Sequence, residues 1–186
     1  MLQLQFTPFP VLTTDRLLLR QLTIEDEKEI FTLRTDDAVN RYLDRLKART
    51  IEDVRKFIQK INNSISNNEA IMWGISFRDD PKLTGTICFW NISREMDKAE
   101  TGYELLPAYQ GKGIMQEALA KVIEYGFNTM QLQRIEAFAN SKNSPSAKLL
   151  LKLHFTRDIL QETQLAGKEE YADTTIYSLV NKKLLP

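Results

Sequence analysis

The run Gln110-Gly111-Lys112-Gly113-Ile114-Met115-Gln116 carries the clearest chemistry in this chain. It follows a strand-like stretch from Glu100 to Leu106 and opens an amphipathic segment. Two glycines one residue apart let the backbone bend tightly and approach a ligand with no Cβ in the way. The helix behind them would turn unpaired N–H groups and its positive dipole end toward that ligand. The combination suits a pyrophosphate, although the same turn also serves elsewhere as a plain connection. Two familiar phosphate loops are excluded: no G-x-x-x-x-G-K-[ST] run exists, and Gln116 stands where a dinucleotide fingerprint needs its third glycine.

A second candidate is a pair of carboxylates. Glu100 and Glu104 lie four apart on one strand-like run, so period-2 geometry projects both to the same face. Tyr103 projects from the opposite face and reads as packing. Metal and thiol chemistry have little support. The chain has one histidine, His154, and one cysteine, Cys88, far apart in sequence. Cys88 sits between Ile87 and Phe89 and reads as core, and His154 reads as structural.

The elements that must position these residues follow from periodicity. Thr14 to Arg20 reads as a first strand. Thr23 caps a helix running to about Arg34, with Glu25 and Asp26 in its first turn. Thr50 and Asp53 form a capping box for a second helix, with Val54, Phe57, Ile58, Ile61 and Ile65 at helical spacing. Ile71 to Phe77, Thr84 to Ile92 and Glu100 to Leu106 are strands, with Asp79-Asp80-Pro81 a turn between the first two. A helix follows the glycine loop to about Met130, with a stripe of Met115, Ala118, Leu119, Val122, Ile123 and Phe127. Arg134 to Ala139 is another strand. Asn143-Ser144-Pro145 opens a short helix through Leu153, and Phe155 to Thr163 with Tyr171 to Val180 reads as a closing hairpin. This order predicts a mixed α/β (α+β) fold with a mostly antiparallel central sheet flanked by helices.

Composition bounds the rest. The 186 residues fit one domain, 1–186 with a core of about 14–180, and one core at that length buries roughly 70% of the unfolded surface. Lys plus Arg number 25 and Asp plus Glu number 25, so no global field points to nucleic acid or an acidic membrane. The single cysteine excludes an internal disulfide framework and suits a reducing cytoplasm. No basic leader and no run of 18 apolar residues is present, so neither a secretory signal nor a membrane span is expected.

Four pieces, in order, resemble the GNAT acetyltransferases, and more narrowly their ribosomal-protein alanine N-acetyltransferase branch. Thr14-Asp15-Arg16-Leu17-Leu18-Leu19-Arg20 is similar to a T-E-R-L-x-L-R opening, and Ala99-Glu100-Thr101-Gly102-Tyr103-Glu104-Leu105 to an A-E-I-G-Y-x-L strand. Gln110 to Met115 resembles the acetyl-CoA loop [RQ]-x-x-G-x-[GA], with Met115 at the small-residue position. Asn143-Ser144-Pro145-Ser146 through Phe155 resembles N-x-x-S…L-E-K-x-G-F, with Leu151 at the glutamate and His154 at the glycine.

The resemblance implies one GNAT-type domain moving an acetyl group from acetyl-CoA to a primary amine. Backbone N–H groups from Gly111 to Gln116, including Lys112, Gly113, Ile114 and Met115, would cradle the pyrophosphate after Gln110. The Lys112 side chain adds charge or is simply solvated. By the same analogy, Leu105 and Leu106 present the strand edge to the pantetheine arm. Asn143 contacts that arm or closes an Asx turn. Glu100, then Glu104, is the candidate base, each with the alternative of a solvated strand acid. Ser146 protonates the sulfur, directly or through water, or is a helix-turn hydroxyl. Trp73, Trp90, Tyr42 and Phe31 line an acceptor groove or pack the core. The acceptor is a protein N-terminus or a small-molecule amine, and the assembly a monomer or homodimer with no nucleic-acid or membrane partner. The competing reading is a non-catalytic acyl-CoA-binding module.

Overall fold

The computed structural model describes residues 2–43 and 45–181. Eight strands form one sheet: β1 (Leu12–Thr13), β2 (Leu17–Arg20), β3 (Ile71–Phe77), β4 (Gly85–Ser93), β5 (Lys98–Leu105), β6 (Arg134–Asn140), β7 (Thr156–Arg157) and β8 (Thr174–Val180). Six α-helices accompany them among the described residues: α1 (Glu27–Thr35), α2 (Asp37–Asn40), α3 (Ile51–Ser66), α4 (Ile114–Asn128), α5 (Ser144–Lys152) and α6 (Ile159–Leu165). The sheet order is β1-β2-β3-β4-β5-β6-β8-β7. Every pairing is antiparallel except β5 with β6, which are joined by the crossover helix α4. That parallel pairing covers Lys98↔Arg134, Ala99↔Ile135 and Glu100↔Glu136, and stops there.

Strand alternation sends residues to two cores. Trp73, Ile87 and Phe89 point to the face covered by α4 and α5, where Ala118, Leu119, Val122 and Leu150 are fully buried against them. Met72 points the other way, into a smaller cluster built from Ile30 and Leu33 of α1 and Val54 and Ile58 of α3. The capping box of α3 forms in both directions: Asp53 N donates to Thr50 Oγ1 at 3.2 Å and Thr50 N to Asp53 at 3.0 Å. Asp26 accepts from Thr23 N at 2.8 Å and pairs with Arg20 at 2.7 Å, so the first helical entry is tied back to β2.

Two segments differ from the expectation. The closing hairpin has only a two-residue first arm, Thr156–Arg157, after which the chain turns into α6 rather than continuing as strand to Thr163. Asp158 explains the switch: its side chain accepts from Gln161 N at 3.0 Å and caps the helix, a local bond that outcompetes a ladder. The short helix α2 has the same kind of origin, since Asp36 accepts from Val39 N at 2.9 Å.

His154 occupies a left-handed backbone position, φ 66°, just past the end of α5. Its N–H donates to Leu151 O and that of Phe155 to Leu150 O, both at 3.1 Å, which closes the helix with its last carbonyls satisfied. A side chain in that region costs roughly 1–2 kcal/mol, partly offset in glycine by its greater unfolded-state entropy. His154→Gly is therefore expected to raise stability by about 0.5–1 kcal/mol, seen as a higher urea midpoint with an unchanged slope.

Candidate active site

Beyond Glu100↔Glu136 the strands β5 and β6 have no mutual register, and a cleft of about 510 Å³ opens there. Its walls come from β5, the glycine loop, the start of α5, and α2 with the residues after it. The loop end is built by backbone conformation. Gly111 and Gly113 both have positive φ, 73° and 74°, and Gly113 is the N-cap of α4. A Cβ at Gly111 would meet nothing within 4 Å, and one at Gly113 only the Arg16 guanidinium at 3.6 Å, so conformation rather than space demands glycine. The first intrahelical bond of α4 runs from Glu117 N to Gly113 O. The N–H groups of Ile114, Met115 and Gln116 thus have no acceptor within the helix. Met115 stays compatible with this cradle because its side chain is buried in the main core.

A latch absent from the sequence-based assignment holds the loop. Arg16 Nε donates to Glu117 at 2.7 Å and Arg16 Nη1 to Lys112 O at 3.3 Å. Glu117 also accepts from Thr14 Oγ1 at 2.5 Å and Arg16 N at 3.1 Å. Burial raises the Glu117 carboxyl, but the bonds from Thr14 and Arg16 outweigh it and hold the group below its ordinary value. The signal was the Thr14–Arg20 motif itself, whose sequence reading as a strand and as a family opening gives Arg16 no part in holding the loop. The Lys112 ammonium sits 5.8 Å from the centre of the Tyr109 ring.

Gln110 Nε2 donates to Leu105 O at 2.9 Å, standing in for part of the missing strand partner. Leu106 N–H is committed to Thr84 O at 2.9 Å, and the Leu106 side chain packs in the smaller core rather than in the cleft. Asn143 caps α5, its Oδ1 accepting from Ser146 N at 3.2 Å. Asn143 and Ser146 both line the cleft. Tyr103, read from sequence as packing, reaches the same place: its hydroxyl lies 2.8 Å from Ser146 Oγ.

The two glutamates have different surroundings. Glu104 lines the cleft and is paired with Arg45 at 2.6 Å, with Thr86 Oγ1 donating at 3.3 Å. Arg45 also donates to Asn40 Oδ1 and Leu33 O, so it pins the segment after α2 to β5. Val39, Tyr42 and Leu43 thereby form the cleft wall facing Tyr103. Glu100 lies four residues back, roughly 13 Å along the strand, and is not part of the cleft lining. Burial pushes its carboxyl up to about 7 and Glu136 alongside adds to the rise, against a 3.0 Å bond from Asn91 and another from Trp90. Trp73 is fully buried, Phe31 packs in the smaller core, and Trp90 is exposed. Desolvation pushes the Cys88 thiol up to about 12, which leaves it unreactive near neutral pH. No group of three or more His, Cys, Asp or Glu side chains able to hold a metal occurs among the described residues, and no described helix is long and apolar enough to cross a membrane.

The sequence profile of the Acetyltransferase (GNAT) domain matches residues 16–156, and this chain belongs to that family. It is 36% identical to an uncharacterised N-acetyltransferase of Bacillus subtilis, YoaA, over 94% of this chain and 99% of that one. It is 26% identical to the Escherichia coli [ribosomal protein uS5]-alanine N-acetyltransferase, covering 94% and 93% of the two chains. The solved GNAT-family acetyltransferase from Bacillus anthracis superposes with a TM-score of 0.76 at 26% identity, over 92% of this chain and 98% of that one. The chain is therefore an N-acetyltransferase of the GNAT type, with acetyl-CoA as its acyl donor.

Acetyl-CoA is expected to raise the melting temperature by mass action, by about 2.7 kcal/mol of stability at a hundredfold excess over Kd. Gly113→Val should remove that rise, because a branched residue at φ 74° breaks the turn that aims the α4 N–H groups. A thermal-shift titration of both proteins makes the comparison.

Proposed function

We infer that the cleft transfers the acetyl group of acetyl-CoA to a primary amine entering beside Val39, Tyr42 and Leu43, and that the amine is a protein N-terminus. The observation carrying this reading is the parting of β5 and β6. It places a glycine-turned helix start and the Tyr103–Ser146 hydroxyl pair along one cleft. Similarity to the uS5-alanine N-acetyltransferase favours a peptide amine over a small molecule. The α4 N–H groups would take the pyrophosphate. The unpaired edge of β5 around Leu105 and the Asn143 amide would hold the pantetheine arm, whose amides need such partners.

In the reaction the amine nitrogen attacks the thioester carbon, a C–N bond forms and the C–S bond breaks. The proton lost by the amine passes through water to Glu100. Its distance from the cleft requires the relay, and its raised carboxyl suits a base working near neutrality. Glu104, tied to Arg45 and Thr86, serves as the anchor of the cleft wall. Ser146 gives the departing sulfur a hydrogen bond, and solvent returns the proton. An α-amine with a pKa of about 7.7–8.0 is partly neutral at physiological pH, so the base carries only part of the load.

Two measurements test this. Thiol release from acetyl-CoA, screened with mass detection over N-terminal peptides, polyamines and aminoglycosides, is expected to select a peptide. Binding without turnover across the panel would favour a pure acyl-CoA-binding module. With the selected acceptor, kcat should rise with pH through about 7 as Glu100 ionises and becomes able to accept a proton. Glu100→Gln should lower kcat by roughly 10²–10⁴-fold and flatten that limb. The same acceptor in both proteins cancels the amine's own titration.

Ser146→Ala and Asn143→Ala should divide the two functions. The first is expected to slow transfer while changing acetyl-CoA affinity by under about 1 kcal/mol, and the second to weaken affinity more than it slows bound-state transfer. Kd from equilibrium binding and kcat from saturating turnover separate them.

A further inference from the structure

Tyr103 is a cleft residue with a hydroxyl that the reaction above leaves without a task. It stands on β5 facing α5, with its hydroxyl 2.8 Å from Ser146 Oγ. Tyr103 is half-buried, and the one partner of its hydroxyl among the described residues is a hydroxyl that, like Tyr103 itself, lines the cleft. Ser146 has one hydrogen to give. If it spends that hydrogen on Tyr103, it presents only lone pairs to the cleft. If Tyr103 is the donor, the Ser146 hydrogen is free to point at a ligand.

We propose that Tyr103 is a positioning residue for the leaving group: its hydroxyl donates to Ser146 Oγ and so aims the Ser146 hydrogen at the sulfur of CoA. This rests on the acetyl-transfer reading and on the place given there to Ser146. Two features suit Ser146 to an anion beside it, and a third keeps Tyr103 able to donate. Ser146 lies in the first turn of α5, a nine-residue helix, so the positive end of that helix already favours an anion beside it. Asn143 Oδ1 accepts from Ser146 N and fixes the backbone from which the hydroxyl projects. Burial pushes the Tyr103 phenol up to about 12, well above an alkyl thiol near ~8.5, so it keeps its proton when a thiolate forms. Tyr103 therefore holds the donor in place and does not supply the proton. The C–S bond breaks with both electrons on sulfur, the thiolate receives the Ser146 hydrogen bond, and water protonates it on release.

The test needs no acceptor. Free CoA is bound to the protein, and its thiol is titrated by the ultraviolet absorbance of the thiolate against a protein blank. The Cys88 thiol, at about 12, lies outside the range. Lys148 and Lys152 of α5 also line the cleft, and Tyr177 of β8 is close enough to Tyr103 to raise it. The two lysines are common to every variant and cancel in the differences, and each variant is read against its own CoA-free blank, which takes out Tyr177. The bound thiol of Tyr103→Phe is expected to titrate about one unit higher than in the unaltered protein, on the order of a tenfold loss of thiolate stabilisation. Ser146→Ala should show a similar rise, and the double variant no further rise, with the CoA-dependent melting shift kept in all three.

An unaltered titration in Tyr103→Phe beside a raised one in Ser146→Ala would overturn the proposal and leave the Ser146 assignment standing. An unaltered titration in Ser146→Ala would remove both. Additive rises in the double variant would mean that Tyr103 reaches the sulfur independently, and loss of the CoA-dependent shift in Tyr103→Phe would make it merely structural. Either result also overturns the proposal.

Discussion

Backbone hydrogen bonds in a protein interior must be made by something, and where β5 parts from β6 the ladder between the two strands stops. The strands pair for three residues and diverge after Glu100↔Glu136, while each continues for several residues more. One carbonyl of the exposed edge, that of Leu105, is met by the Gln110 side chain.

The two ends of the cleft are secured by different physics. At the loop end the groups proposed to bind are main-chain N–H groups, set by the positive φ of Gly111 and Gly113 and locked by Arg16, Thr14 and Glu117. At the opposite wall the structure depends on side chains. The Arg45–Glu104 pair, supported by Asn40 and Thr86, draws the segment after α2 onto β5. Removing one member of a partly buried pair leaves its partner's charge uncompensated, so this contact acts as a hinge pin more than as a source of net stability.

Much of this was legible in the amino-acid sequence because the signals were local. The Thr50–Asp53 box, the glycine loop and the alternation of β3 to β5 each rest on neighbours within a few residues, and the family motifs supplied the cofactor. What escaped was long-range. Arg16 meets Glu117 across a hundred residues of chain, Arg45 meets Glu104 across fifty-nine, and Tyr103 meets Ser146 across forty-three. No periodicity announces such pairs. Glu100 and Glu104 were correctly placed on one strand, but strand geometry alone could not separate a carboxyl raised by burial from one tied to an arginine. The short arm of the closing hairpin was misjudged because a single aspartate, Asp158, turns the chain into helix after two strand residues.

The division between a main-chain donor end and a side-chain acceptor wall has a consequence for how such a protein diverges. Main-chain groups are indifferent to most substitutions, so the glycine loop tolerates drift at Lys112 or Gln116 provided the two glycines keep their conformation, while Ile114 is held by its burial in the main core. Val39, Tyr42 and Leu43 have no such protection, since any exchange there reshapes the surface they present. Arg45 and Glu104 fasten that segment to β5 through side chains other than these three, so exchanges at Val39, Tyr42 or Leu43 leave its attachment in place.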